Sequence, residues 1–142
     1  MEHCTAKWGR EVKKLLCAED KERIYLELIL MGFKPNTAGM QRVADALELC
    51  TENPMLLGDL KHRLYPAIAV RHGETVQSVE RIIRYTIERV WLSGELDALQ
   101  ERFGYTIQAD KGKPTNRAFL AQMTEWLILH GGSVLENRSG SE

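Results

Sequence analysis

The sequence predicts an all-α domain of about six helices that contains a helix-turn-helix. Apolar residues recur at three- and four-residue spacing along most of the chain, which is the period of an amphipathic helix. The alternation of apolar and polar residues that is typical of strands is nearly absent, and Tyr105-Thr106-Ile107 is the one weak candidate. A chain of 142 residues fits one ordinary domain with a sizeable core.

The predicted helices begin and end at residues whose chemistry suits helix ends. Pro66 suits a first turn because its nitrogen has no hydrogen to donate, and the Thr75 hydroxyl can cap the following helix. Gly32, Gly104 and Gly131 each follow an apolar periodic segment and are predicted to end it. The predicted helices span residues 19–31, 39–50, 57–64, 66–72, 76–92, 96–103 and 115–130.

Residues 65–91 are predicted to form the helix-turn-helix. The small side chain of Ala69, ahead of Gly73, allows two helices to approach closely before a tight turn, in which glycine tolerates a positive φ. Val79 and Ile82 follow where the second helix must pack against the first. A helix of this width fits the major groove of DNA.

The second helix of this pair has one apolar and one polar face. The residues predicted to pack are Val76, Val79, Ile83, Ile87 and Val90. The residues around the other face are Gln77, Ser78, Glu80, Arg81, Arg84 and Glu88. Such pairs are also common in all-α proteins that bind no DNA, so a merely solvated charged face stays an alternative.

Two flanking segments are predicted to differ from the domain at residues 19–131. Residues 1–18 form a candidate basic amphipathic helix, which either docks on the domain or offers a surface for a partner or self-association. Its apolar stripe consists of Trp8, Val12, Leu15 and Leu16. Residues 132–142 are predicted to be a disordered tail.

The charge of the chain is nearly balanced, with a formal net charge of −1. Attraction to phosphates must therefore come from local clusters of bases. Between residues 61 and 89 the acids are outnumbered by Lys61, Arg63, Arg71, Arg81, Arg84 and Arg89. A second basic cluster consists of Lys111, Lys113 and Arg117. Two such patches suit a protein that touches DNA on one side.

The sequence shows no pattern typical of an enzyme or a metal site. A glycine-rich phosphate loop, a Gly-x-Ser-x-Gly elbow and a His-Glu-x-x-His motif are all missing. The histidines lack ligand spacing and are expected at helix surfaces, helix ends or the N-terminus, and Glu80 and Glu88 are better explained by ion pairs with arginines than by acid–base chemistry. We therefore expect no catalytic residue, metal or cofactor.

The cysteines and the hydropathy indicate a cytoplasmic protein. The three cysteines Cys4, Cys17 and Cys50 are odd in number and form no close pair, so no disulfide framework is predicted. No apolar run is long enough for a signal peptide or a membrane span.

Several separated motifs occur in an order that identifies a family. They are Leu64-Tyr65-Pro66-x-Ile68-Ala69, Val79-Glu80-Arg81-x-Ile83-Arg84, Ile87-Glu88 with Trp91 and Gly94, Phe103-Gly104-Tyr105-Thr106, and Lys113-Pro114-Thr115-Asn116. Through them the chain, from about residue 24 to residue 130, resembles the C-terminal DNA-binding effector domain of the stage-zero sporulation protein A family.

The resemblance implies a compact six-helix domain that binds short DNA boxes near promoters and regulates transcription. Ser78, Glu80 and Arg81 would read bases, whereas Arg84, Tyr85, Lys111 and Lys113 would hold the backbone. The full predicted DNA-binding set is Thr75, Gln77, Ser78, Glu80, Arg81, Arg84, Tyr85, Lys111 and Lys113. The partner is double-stranded DNA, with RNA polymerase or a sigma factor and a homodimer on DNA considered as further partners.

The sequence departs from the family pattern at two positions. Ser78 stands where an arginine is common, and Tyr85 stands where a basic residue or histidine is common. Because serine is too short for a bidentate contact with guanine, we expect an altered DNA box or a weaker affinity. Family members typically carry a receiver domain, for which the segment before residue 24 has no room, so we expect no phosphorelay control. The alternative function is a protein-interaction module of the same fold with weak or no DNA binding, which acts on a related regulator.

Overall fold

The computed structural model describes residues 21–104 and 113–140, with side chains described as far as residue 130. Within these ranges the chain forms six α-helices and no strand, which confirms the all-α prediction. They are α1 (residues 21–31), α2 (Ala38–Glu52), α3 (Tyr65–His72), α4 (Val76–Ser93), α5 (Leu96–Phe103) and α6 (Asn116–Gly140). The weak strand candidate, the amphipathic segment 1–18 and Lys111 lie outside the described residues.

The core is built around α2, which packs against both α4 and α6. Apolar residues at helical spacing in these elements are buried, since Val43 and Leu47 of α2 and Met123 of α6 are fully inaccessible. Aromatic rings extend the core toward the end of α4, where the Trp91 and Phe103 ring centroids lie 4.9 Å apart in an edge-to-face arrangement. The helical spacing of apolar residues in the sequence therefore marks the buried faces of α2 and α6.

The helix-turn-helix consists of α3 and α4 and has the predicted punctuation. Pro66 lies in the first turn of α3, and the Thr75 hydroxyl accepts a hydrogen bond from the Ser78 amide at 3.0 Å. The apolar face of α4 is buried at Val79, Ile83, Ile87 and Val90, and Val76 is partly buried. One face of α4 therefore belongs to the core and the other is left for contacts outside it.

Residues 54–64 do not form the single helix predicted for 57–64. A 3₁₀-helix spans Pro54–Gly58, and a π-helix spans Leu60–Leu64 and runs directly into α3. Each begins at its own side-chain cap, because the Asn53 side chain accepts from the Met55 amide and the Asp59 carboxylate accepts from the His62 amide. Two caps in succession divide the segment into two short helices.

The last helix differs from the prediction at both ends. Thr115 caps it by accepting a hydrogen bond from the Ala118 amide at 3.1 Å, so that α6 begins at Asn116. At the other end α6 passes through Gly131 and continues to Gly140. A glycine inside a helix costs only about 1 kcal/mol, so it does not by itself end one. The division into residues 1–18, 19–131 and 132–142 stays a prediction.

None of the helices in the described ranges combines the length and the apolar character that a membrane span requires.

Candidate nucleic-acid interface

The turn between α3 and α4 is fixed by the backbone conformation of Gly73. Its φ of 63° and ψ of 39° are left-handed, and its amide donates to the Ala69 carbonyl. The Glu74 amide donates to the same carbonyl at 3.0 Å. A Cβ atom on Gly73 would meet no atom within 4 Å, so the left-handed conformation and not a lack of space favours glycine here.

The outer face of α4 begins directly after this turn and carries polar side chains. Gln77, Arg81 and Tyr85 recur at four-residue spacing and are exposed, and Ser78 beside them is half-buried. Tyr85 is 52% exposed, a large value for an aromatic ring. The first three turns of α4 thus present hydrogen-bonding side chains on the side opposite the core.

Glu80 and Arg84 form an ion pair along one edge of this face. The Arg84 Nη1 donates to the Glu80 Oε2 at 2.5 Å, and this hydrogen bond raises the pKa of the Arg84 guanidinium. The guanidinium carbon also lies 5.6 Å from the centroid of the Tyr85 ring. The ion pair that the sequence predicted for Glu80 is therefore present, and its carboxylate is already accepting from a cation.

The start of α6 is joined to this helix by Asn116, which is 9% exposed. Its Nδ2 donates to the Tyr65 hydroxyl at 3.1 Å and to the Glu80 carbonyl at 3.2 Å. Burial raises the pKa of Tyr65, and the hydrogen bond from Asn116 is the largest effect that opposes this rise. Asn116 therefore places the beginning of α6, which carries Arg117, beside the first half of α4.

Residues 24–127 match the family model described as Sporulation initiation factor Spo0A C terminal. The chain belongs to this family. The match confirms the resemblance found in the sequence, and the family is one of DNA-binding effector domains that regulate transcription in sporulation and are not enzymes. In this member of the Spo0A C-terminal family, further contacts hold the turn before α4.

One of these contacts joins α2 to the turn through two parallel hydrogen bonds. The Arg42 Nε donates to the Glu74 Oε1 at 2.8 Å, and the Arg42 Nη2 donates to the Glu74 Oε2 at 2.7 Å. Arg42 is 7% exposed, although it is charged. Its hydrogen bonds lower the pKa of the Glu74 carboxyl below the ordinary value for glutamate. The pattern of the sequence did not reveal this pair, since its members are 32 positions apart.

A second contact joins α2 to the end of α3. Asp45 is 5% exposed, and its Oδ2 lies 2.5 Å from the His72 Nε2. Arg71 donates from Nη1 to Asp45 at 3.4 Å and to Glu48 at 3.2 Å. Arg71, which the sequence placed among the bases available to DNA, therefore shares two acids of α2 with Lys21 and keeps a side chain that is 41% exposed. His72 lies at a helix end, as the sequence predicted.

The predicted DNA-binding residues divide by location. All those between residues 75 and 85 belong to α4 or to its cap, and the fold brings them to one end of that helix. Lys113 is half-buried just before α6, and Lys111 lies outside the described residues. Arg117, which the sequence left out of the binding set, is exposed next to Asn116. The only sequence feature that pointed to Arg117 as a DNA-binding residue was its place in the second basic cluster.

The described residues do not point to metal or thiol chemistry. Among them, no group of three or more histidine, cysteine, aspartate or glutamate residues is arranged to hold a metal ion. Cys50 is buried, and burial raises the pKa of its thiol to about 11. Because nucleophilic attack requires the thiolate, this side chain is an inert part of the core.

Proposed function

We propose that this protein is a sequence-specific DNA-binding transcriptional regulator in which α4 lies in the major groove. The observation that carries this proposal is the exposed polar face on the first three turns of α4, a helix whose opposite face is buried in the core. Membership in a family of DNA-binding effector domains supports the same function.

In this proposal some residues on the outer face of α4 contact bases and others contact phosphates. Arg81 is exposed and can donate two hydrogen bonds to guanine, while Ser78 and Gln77 offer shorter polar contacts. Glu80 would accept from cytosine once Arg84 moves from its carboxylate to a phosphate. Tyr85 would support Arg84 at the backbone.

Two further groups would hold the phosphates around this helix. Lys113 and Lys111, with Arg117 beside Asn116, would contact the backbone next to α4. Thr75 would lie near the backbone at the start of α4 while it caps the helix. Because such contacts carry no sequence information, they would set the orientation of the helix and not its preferred site.

The partners of this regulator would be those present at a promoter. Double-stranded DNA is the primary partner, and we propose RNA polymerase or a sigma factor as a protein partner. A homodimer on paired half-sites would place two copies of α4 about one helical turn of DNA apart. A protein that binds bacterial promoter DNA works in the cytoplasm. Ser78 would shift the preferred box away from the one common in the family.

A second candidate function is that of a protein-interaction module that acts on a related regulator. The observation that favours it is apolar exposure on α4, where Leu92 is 83% and Tyr85 is 52% exposed. A net charge of −1 also gives little general attraction to DNA.

Selection from a pool of random double-stranded DNA, followed by titration with salt, tests the first function against the second. The regulator is expected to enrich one sequence and to lose affinity for it steeply as salt rises, because phosphate contacts release counterions. Equal and negligible binding to all duplexes would contradict the first function and support the second.

A further inference from the structure

The turn that precedes α4 is held to the domain by an unusual contact. Glu74 lies between the left-handed Gly73 and the cap residue Thr75, so its position fixes where α4 begins. Its carboxylate accepts hydrogen bonds from both the Nε and the Nη2 of Arg42 on α2. The side chain of Gln41 also accepts from the Nη1 of Arg42 at 3.3 Å.

The geometry of this contact constrains the turn more than a surface ion pair would. A guanidinium that donates two parallel hydrogen bonds fixes both the distance and the plane of the carboxylate. The Arg42 side chain is 9% exposed and that of Glu74 is 20% exposed, so Arg42 is largely shielded from water and Glu74 is partly shielded. Arg42 belongs to α2, the central helix of the core, so its contact with Glu74 fixes the position of the turn relative to the core.

From this geometry we infer that Arg42 is a positioning residue for DNA recognition. It holds Glu74, and through the turn it sets the direction in which the outer face of α4 leaves the domain. Arg42 touches no base in this account and acts only through α4. The inference rests on the proposed function, because it concerns how the proposed reading helix is aligned.

Arg102 provides a control, because it forms another buried pair with a glutamate elsewhere, although its Nε and Nη2 both approach the single oxygen Oε1 of Glu27. It is 5% exposed, and its Nη2 lies 2.6 Å from the Glu27 Oε1. Its guanidinium also lies 4.9 Å from the Trp126 ring. These contacts join α5 to α1 and α6 and do not involve the turn before α4. Because Arg102 also donates to the Ala98 carbonyl, loss of its guanidinium should destabilise the domain at least as much as loss of the Arg42 guanidinium, whereas only loss of Arg42 should disturb α4.

The test compares R42M and R102M in the full chain, on a duplex that the wild-type protein has selected and on a scrambled duplex. We expect R42M to lower the ratio of the two affinities about tenfold, which is the loss of roughly one good base contact. R102M should keep the wild-type ratio. Hydrogen exchange of the Glu74 and Ser78 amides should accelerate in R42M and stay at the wild-type rate in R102M.

A third variant keeps the test usable if R42M does not fold. R42K retains the positive charge but cannot donate the two parallel hydrogen bonds of a guanidinium. We expect it to lose part of the discrimination between the two duplexes and to show intermediate exchange of the same two amides.

Three outcomes would overturn the inference. The first is a wild-type affinity ratio in R42M or, where R42M does not fold, in R42K. The second is an equal loss of affinity for both duplexes, which would indicate a change of charge and not of alignment. The third is the same loss of discrimination in R102M, which would indicate a general effect of destabilisation. If the wild-type protein prefers no duplex, the proposed function itself fails, and the exchange rates then show separately whether Arg42 holds the turn.

Discussion

The two ends of α4 are held by different kinds of contact. At its start, the left-handed Gly73 has open space around it, and the turn is held by the two hydrogen bonds from Arg42 to Glu74. At its end, a Cβ atom on Gly94 would lie 2.6 Å from the Met31 carbonyl oxygen, so the backbones are in direct contact. A side-chain ion pair thus holds the end that carries the proposed interface, whereas close backbone contact holds the other, together with the hydrogen bond from the Glu95 amide to the Met31 carbonyl at 3.1 Å.

The two kinds of contact allow one helix to serve both stability and recognition. Close packing at the end of α4, where Trp91 meets Phe103, anchors the helix in the core. Directional hydrogen bonds at its start orient the helix without covering its outer face. Arg81 and Tyr85 can stay exposed there because the turn is held from the side of α2.

Replacing Gly73 and Gly94 by alanine should have the largest effects on stability and should affect the two ends of α4 differently. Gly94→Ala should cost about 3 kcal/mol, because its Cβ would lie 2.4 Å from the Val90 oxygen and neither backbone can yield easily. Gly73→Ala should cost about 1 kcal/mol, the price of a left-handed φ in open space. Urea unfolding of both variants measures this difference. Equal losses would show that the close approach at Gly94 is relieved by small shifts.

A smaller effect is expected from the dependence of stability on pH at the start of α4. Because Arg42 lowers the pKa of Glu74, this carboxylate contributes stability that is complete above the ordinary pKa of glutamate, about 4.3, and is lost as pH falls through the lowered value. The difference in the free energy of unfolding between wild type and Glu74→Gln should therefore shrink from pH 7 to pH 3. A difference that stays constant would show that the Glu74 charge does not stabilise the turn.

The smallest effect on stability should come from the exposed pair on the outer face. Glu80→Gln removes one partner of Arg84, but the two side chains are 38% and 42% exposed, and pairs of this kind contribute little. We expect no measurable change in thermal unfolding, together with a changed preference for DNA sequence if Glu80 reads a base. Measurable destabilisation without any change in preference would assign Glu80 to structure alone.

The sequence predicted the helical fold and the helix-turn-helix because both depend on local signals. Pro66, Gly73 and Thr75 mark helix ends by their own chemistry, and the stripe from Val79 to Val90 follows the helical period. The contacts that orient α4 could not be predicted in this way. Arg42 and Asn116 find their partners 32 and 36 positions away, and only the fold brings them together.

Two helix boundaries predicted from the sequence were wrong. Gly131 suggested the end of α6, but a single glycine is a modest penalty that a long helix can tolerate. Residues 57–64 have apolar periodicity, yet the caps at Asn53 and Asp59 divide the segment. The sequence also could not show that Asp45 and Glu48 face Arg71.

Binding of Arg81→Ala to the selected duplex measures whether the outer face of α4 reads DNA bases. Lys34→Ala is the control, since it removes the same charge from an exposed residue outside α4. We expect Arg81→Ala to weaken binding by about 1–3 kcal/mol and to relax the preference at one base pair. Lys34→Ala should leave that preference intact. Unchanged affinity and unchanged preference in Arg81→Ala would contradict the account.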